Sequence, residues 1–343
     1  MWISLEKALG AWDLGARAFH DRHQDWFLTR IAGRDYINEH RTRVSGAQAD
    51  LRRQDDTGAT ALGLDLRHEQ LASNALADHR RDRSALWLLR QQALDERTRL
   101  EASLNIARYQ GDRERWLPAL ALSHEFSSTW RGFAAGARSA RLPSYTELYL
   151  ATAANRGSAD LQPETADYAE LGAEARLGAQ RLQASIYRRQ VRQWIDWTRT
   201  PDAVTWVAAN VDGYRGRGLE VHWRWQPDSR WLDSLALGFD RLQVALDEPE
   251  HEVKYAAQVP THTWTGEARL HLGARTGLDF DLRRPHYAGQ GGTTLAALRL
   301  TWQGRRLNGF VAVENLLDCD IIETGFAPIP GRWLSLGLEA QWP

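Results

Sequence analysis

Histidine beside glutamate is the pairing from which many zinc hydrolases are built, and the sequence offers it three times, at His68-Glu69, His124-Glu125 and His251-Glu252. Such a site needs a second histidine one helical turn on, so that two imidazoles share a face and the glutamate can act as base. None of the three pairs has one. Other signatures of catalysis fail as well. There is no G-x-S-x-G turn to present a nucleophilic serine and no P-loop, and "GYRGRGLEV" (213–221) departs from the dinucleotide fingerprint after its second glycine, entering a strand pattern rather than a helix. The single cysteine, Cys319, excludes an intrachain disulfide framework and any multi-cysteine zinc or iron–sulfur site. Binding rather than bond making is therefore predicted, with no enzymatic activity, cofactor or metal site.

The polar residues that remain read as walls and loops. His20, His23, His222 and His271 fall in segments of alternating polarity, where solvated wall positions are expected rather than ligands. The arginine clusters "HRRDR" (79–83) and "DRERW" (112–116) lie beside loop patterns, as solvated charge or as partners for lipid phosphates. Lys plus Arg is 43 against 44 Asp plus Glu, a net charge of −1, so no global field favours nucleic acid.

The elements that carry these residues have period two. "ATALGLDLRHE" (59–69) sets Leu62, Leu64 and Leu66 against Gly63, Asp65 and Arg67, and "RLEASLNIARY" (99–109) sets Leu100, Ala102, Leu104 and Ile106 against Glu101, Ser103 and Asn105. One apolar and one polar face per strand is the signature of a half-buried sheet. Connections alternate between tight turns, such as 55–58, 95–98 and 178–180, and long polar stretches at 70–82, 140–165, 198–210 and 244–258. A meander with short turns at one end and long loops at the other is the layout of an outer-membrane barrel, whose strands of about 9–11 residues match the segments seen here. Counting a strand on each side of every turn gives about 16 from residue 12 onward, with "WISLEK" (2–7) as a 17th.

Sixteen tryptophans with a mean hydropathy of −0.53 mean that apolar residues are dispersed singly. Most of the tryptophans fall near strand ends, as interfacial aromatic girdles require. No apolar run approaches the roughly 20 residues of a membrane-spanning helix, and the N-terminus lacks the regions of a signal peptide. The chain also echoes itself: 16–30 with 36–52 resembles 184–199 with 206–224, pairing Asn38 and Gly46 with Asn210 and Gly218. This predicts a repeated unit of strand, long loop and strand.

Two blocks carry a family resemblance. In "ARSARLPSYTELYLATAANRGSADLQPETADYAELGAEARLG" (137–178), Arg141, Pro143, Tyr145, Glu147, Leu148 and Tyr149 close a strand, and Leu161, Pro163, Glu164, Glu170, Leu171 and Gly172 open the next. "VAVENLLDCDIIETGFAPIPGRWLSLGLEAQW" (311–342) supplies Glu314, Asn315, Leu316, Asp318 and Pro330-Gly331-Arg332. In combination these resemble TonB-dependent outer-membrane receptors across essentially the whole chain, with a weaker likeness of "SNALADHRRDRSA" (73–85) to cobalamin-receptor relatives.

The resemblance implies an all-β, antiparallel up-and-down transmembrane barrel in the outer membrane of a Gram-negative bacterium. It would be plugged by an N-terminal domain and driven through TonB to import a scarce bulky nutrient of the cobalamin or ferric siderophore type. Such transporters carry 22 strands. Here the signal peptide, TonB box, plug and first strands have no counterpart, so residues 1–343 are expected to form a single domain, an incomplete or open barrel portion in which TonB would act only through a full-length version. The expected partners are outer-membrane lipid and lipopolysaccharide, the barrel-assembly machinery and the nutrient. Candidate nutrient contacts on the loops are Tyr145, Tyr149, Asn155, Arg156 and Trp206, with Tyr145 and Tyr149 equally suited to packing the loop on the rim. Ser335, Gly337, Ala340 and Trp342 match the insertion signal of such barrels, followed by Pro343. The competing reading is a passive, plugless porin-like or structural barrel.

Overall fold

The computed structural model describes residues 1–31, 33–109, 111–247, 251–255, 259–289, 291–324 and 327–340. Seventeen strands of eight residues or more follow one another as antiparallel neighbours, from Trp2–Leu9 and Trp12–Ile31 through Leu307–Glu314 to Trp333–Ala340; with the two-residue strand Gly291–Gly292 they form an 18-stranded sheet. The count matches the sequence reading because each strand keeps its two-residue period along its length. Tight turns at 10–11, 56–57, 94–97, 178–179 and 274–275 lie at one end. Among the described residues, Trp2–Leu9 pairs only with Trp12–Ile31, and Trp333–Ala340 only with Leu307–Glu314, so the sheet has two open edges.

Alternation sorts the side chains onto two faces. Leu64, Leu86, Leu120, Leu171, Ile186, Leu237, Leu300 and Leu336 all stand exposed on one face. Register keeps them together across strands: Leu64 lies opposite Leu86, Leu171 opposite Ile186, and Val311 opposite both Leu300 and Leu336. The other face carries ion pairs, with Arg67 Nε 3.0 Å from Asp65 Oδ1, and Glu174 between Arg176 (2.7 Å) and Arg181 (2.5 Å). A water-soluble sheet would hide the leucine face. This one leaves it bare, and the accessible surface of 22613 Å² is about 1.6 times that of a compact soluble chain of this mass. Each exposed leucine is stabilised only in a solvent as apolar as itself, such as lipid.

Three expectations change. The stretch 70–82 is a five-residue connection between Gly58–Ser73 and His79–Ala93, so the first arginine cluster opens a strand. Within 198–210 the chain is partly ordered, by Trp194–Arg199 and Trp206–Val211. The echo also differs between its copies. Trp12–Ile31 and Arg34–Asp55 run as one unbroken hairpin out to Ile31 opposite Arg34, whereas the second copy interposes a loop between Gln180–Arg192 and Tyr214–Trp225. What repeats is an aromatic facing a glycine: Phe19 opposite Gly46, and Tyr187 opposite Gly218.

Candidate functional site

The site sits at the long-loop end, where the resembling blocks become structure. Pro143 cannot continue the strand Trp130–Arg141, and Ser144 caps the short helix Tyr145–Tyr149 by a reciprocal capping box with Glu147. Arg141 then ties three elements. Its guanidinium bonds Glu147 Oε2 at 2.9 Å and Glu164 Oε1 at 2.8 Å, and Glu164 Oε1 also accepts the backbone N–H of Ile195 at 2.7 Å. Burial raises the Glu147 pKa, but Arg141 and the Ser144 donors outweigh it and hold the carboxyl below the usual glutamate value. Charge-assisted bonds of this kind are the strong ones, which accounts for the arginine and the two glutamates at this spacing.

Above this latch the loops form their own sheet. Trp206–Val211 pairs with Trp194–Arg199 and, in parallel, with Asn155–Arg156, while Glu252–Val253 adds to the far edge. Leu161, Ile195, Trp197 and Ala208 pack beneath it with Leu148, Leu150 and Trp206 around them, so a buried apolar cluster lies under the loops. Asp196, buried here, accepts the N–H groups of Trp197 at 2.7 Å and Tyr255 at 3.1 Å. The Tyr255 hydroxyl is pushed up by burial and by the charge of Asp196. Asn210, half of the echo, fastens the connection through bonds to Gln162 and Gln193.

The five loop residues singled out in the sequence are distributed as follows. Tyr149 stacks on His79 with centroids 3.6 Å apart, and Arg81 lies 4.7 Å over Tyr145 while donating to Pro143 O. Burial, with the Glu69 charge, pushes the Tyr145 phenol up to about 12. These two rings therefore seal the helix against the start of the strand His79–Ala93. Asn155 Oδ1 accepts from Lys254 Nζ at 3.2 Å, Arg156 is exposed, and Trp206 has Arg199 4.4 Å and Lys254 5.8 Å from its ring centroid. Asn155 and Trp206 thus come together, Arg156 lies one residue on opposite Val207 and projects from the other face of the loop sheet, and the tyrosine rings contact His79 and Arg81 instead. Sequence reading missed Arg199, Trp197, Lys254 and Tyr255; the one available signal is "WIDW" (194–197), where alternation fails because both faces are covered.

The closing block also resolves into contacts. Asn315 adopts a φ of 45° and its side chain bonds Cys319 O, Cys319 N and Pro330 O, while Asp318 Oδ1 accepts Arg332 N–H at 2.7 Å. These bonds gather 315–332 and aim Trp333–Ala340 back along its partner. Ser335 lies opposite Ala312, Ala340 opposite Leu307, and Gly337 under the ring of Phe310. Trp342 and Pro343 lie outside the described residues.

Rings flanked by fixed cations on an ordered platform suit recognition of a bulky anion. Residues 6–316 match the family model described as TonB dependent receptor-like, beta-barrel. Over 95 residues, 28% of this chain and 14% of the relative, the sequence is 30% identical to the vitamin B12 transporter BtuB of Vibrio vulnificus. The fold is similar to that of the siderophore receptor PirA from Pseudomonas aeruginosa, with TM-score 0.77 and 15% identity over 99% of this chain and 62% of that one. It is also similar to a mutant ferric enterobactin receptor (PfeA) from Pseudomonas aeruginosa in complex with enterobactin, with TM-score 0.80 and 15% identity over 99% and 61%. The chain spans about three-fifths of the length of these solved structures.

Proposed function

Because the chain belongs to the TonB-dependent receptor β-barrel family, we propose that it is the barrel portion of an outer-membrane receptor that captures an anionic metal chelate of the ferric siderophore type on its loop platform. The observation that carries this reading is the gathering of Arg199, itself paired with Glu252, and Lys254 around Trp206 on the loop sheet, with Arg156 exposed on the adjoining strand. Cations and an aromatic face attract an anionic, ring-bearing chelate, and a neutral corrinoid gains less from them. Import would require TonB and a plug acting on this wall. The test is quenching of tryptophan fluorescence in the detergent-folded chain by a ferric tris-catecholate and by cyanocobalamin. Saturable binding of the chelate, weakened by added salt, is expected; binding of cyanocobalamin alone would overturn the assignment.

The outer face supports lipopolysaccharide as the membrane partner. Arg22 stands directly opposite Arg43, Arg43 is followed across the sheet by Gln70 and Arg80, and Arg108 lies opposite Ser84. These arginines share the leucine face at its loop end, and none makes an ion pair among the described residues. Like charges facing each other across strands are destabilising unless anions cover them. Phosphates of lipopolysaccharide supply such a cover at the outer leaflet, above the hydrocarbon that the leucines meet. The last strand, with Ser335, Gly337 and Ala340, is the segment that the barrel-assembly machinery would engage. Charge reversal at Arg43 is expected to reduce co-purified lipopolysaccharide, and unchanged retention would count against the belt.

A further inference from the structure

We propose that Glu220, His222 and Asp240 form a binding site for a first-row divalent transition-metal ion on the inner wall of the sheet. The sequence marks His222 as a solvated wall residue, but pairing surrounds it with carboxylates. Glu220 and His222 are two apart on Tyr214–Trp225 and so share a face, and Asp240 on Leu232–Ala245 stands directly opposite Glu220. One donor atom from each residue lies within 4.8 Å of the others, the one such group among the described residues. Gly238, opposite His222, leaves room for the imidazole: a Cβ there would lie 2.9 Å from Nδ1.

Charge is the second, independent observation. Two carboxylates directly opposite on neighbouring strands repel, and elsewhere on this wall carboxylates hold arginine: Asp65 and Asp279 one each, Glu174 two, and Glu267, which faces Asp281, has Arg224 at 3.5 Å. Neither Glu220 nor Asp240 has a lysine or arginine partner among the described residues. Asp240 Oδ1 is shielded from solvent and accepts no hydrogen bond, although His222 Nε2 is 3.2 Å away. A divalent ion satisfies this oxygen and removes the repulsion at once. One imidazole with two carboxylates is an N,O set suited to Zn²⁺ and its first-row neighbours, whereas Mg²⁺ and Ca²⁺ favour oxygen alone. Ser185 and Thr265, across from Glu220 and Gly238, are placed to bond water on the ion.

The proposal stands apart from the transport reading, since it concerns the wall rather than the loops. It is tested by titrating Zn²⁺ into the full chain folded in detergent, against a chromophoric chelator. One Zn²⁺ per chain is expected, with Zn²⁺ raising the unfolding temperature. His222→Gln should abolish both effects, and Asp240→Asn should weaken binding by more than about tenfold, the scale on which even outer-sphere partners act. His20→Gln should leave binding intact. Glu220→Gln relieves the repulsion and is expected to fold, so it reports on the site even if His222→Gln does not fold. Absence of a one-to-one complex in the folded chain, or undiminished binding in folded His222→Gln or Glu220→Gln, would overturn the assignment.

Discussion

Tyr187 stands directly opposite Gly218 on the neighbouring strand, and its ring occupies the space that a side chain at 218 would need. The same relationship joins Phe19 to Gly46, Trp87 to Gly63, Phe133 to Gly172 and Phe310 to Gly337. Each ring covers a glycine that would otherwise weaken a strand interior, and each pair fixes register. Gly337 thus has a packing reason to be glycine, independent of any insertion signal.

Valine at Gly218 is expected to cost about 1–3 kcal/mol through overpacking against Tyr187. Alanine at Gly136, where the nearest heavy atom to a new Cβ lies 3.6 Å away, should stay within about 0.5 kcal/mol. Urea unfolding in phospholipid vesicles compares the two, and equal cost at both sites would remove the ring from the explanation.

Leu64→Arg places a guanidinium on the leucine face beside Leu86. A loss of about 2–4 kcal/mol is expected if that face meets the bilayer near its midplane. The readout is the folded fraction in vesicles, by heat-modifiable gel mobility; a neutral result would mean the face is wet.

Arg141→Ala leaves Glu147 and the buried Glu164 without their shared cation. The helix Tyr145–Tyr149 should open locally while the sheet holds, with amide exchange at Leu148 and Leu150 faster by about tenfold to a hundredfold. Uniform acceleration across the strands would instead point to global destabilisation.

The same helix should respond to acid. Glu147 has its carboxyl pKa lowered by Arg141 and Ser144 against the opposing effect of burial, so its contribution is fully present above the ordinary glutamate pKa and is lost as pH falls through the lower folded value. Exchange at Leu148 should therefore stay protected at pH near the ordinary value and rise only below it, and Glu147→Gln should flatten the profile. Loss of protection already at higher pH would contradict the depressed pKa.

Arg156→Ala should weaken a ferric tris-catecholate about tenfold to a hundredfold, as expected for loss of one charge-assisted contact. Stability should hold, because the side chain is exposed and only the backbone of Arg156 takes part in pairing with Val207. Fluorescence titration beside a urea melt separates the two effects.

By itself the sequence determined what depends on neighbours along the chain. Period two in "ATALGLDLRHE" and its kin dictated strands with one apolar face, and the turn residues between them dictated the meander, because local alternation and local backbone preference suffice for both. The blocks at 137–178 and 311–342 were legible as family marks, but their physical reason was not. Arg141 has no partner until the chain returns at Glu164, and Lys254 meets Asn155 across 99 residues. Tertiary structure alone decided that Tyr145 and Tyr149 seal a rim, that Trp206 gathers cations, and that Glu220, His222 and Asp240 converge. Each of these depends on which segment lies beside which, and for the strand residues Glu220, His222 and Asp240 a one-residue slip would turn the side chains to the other face.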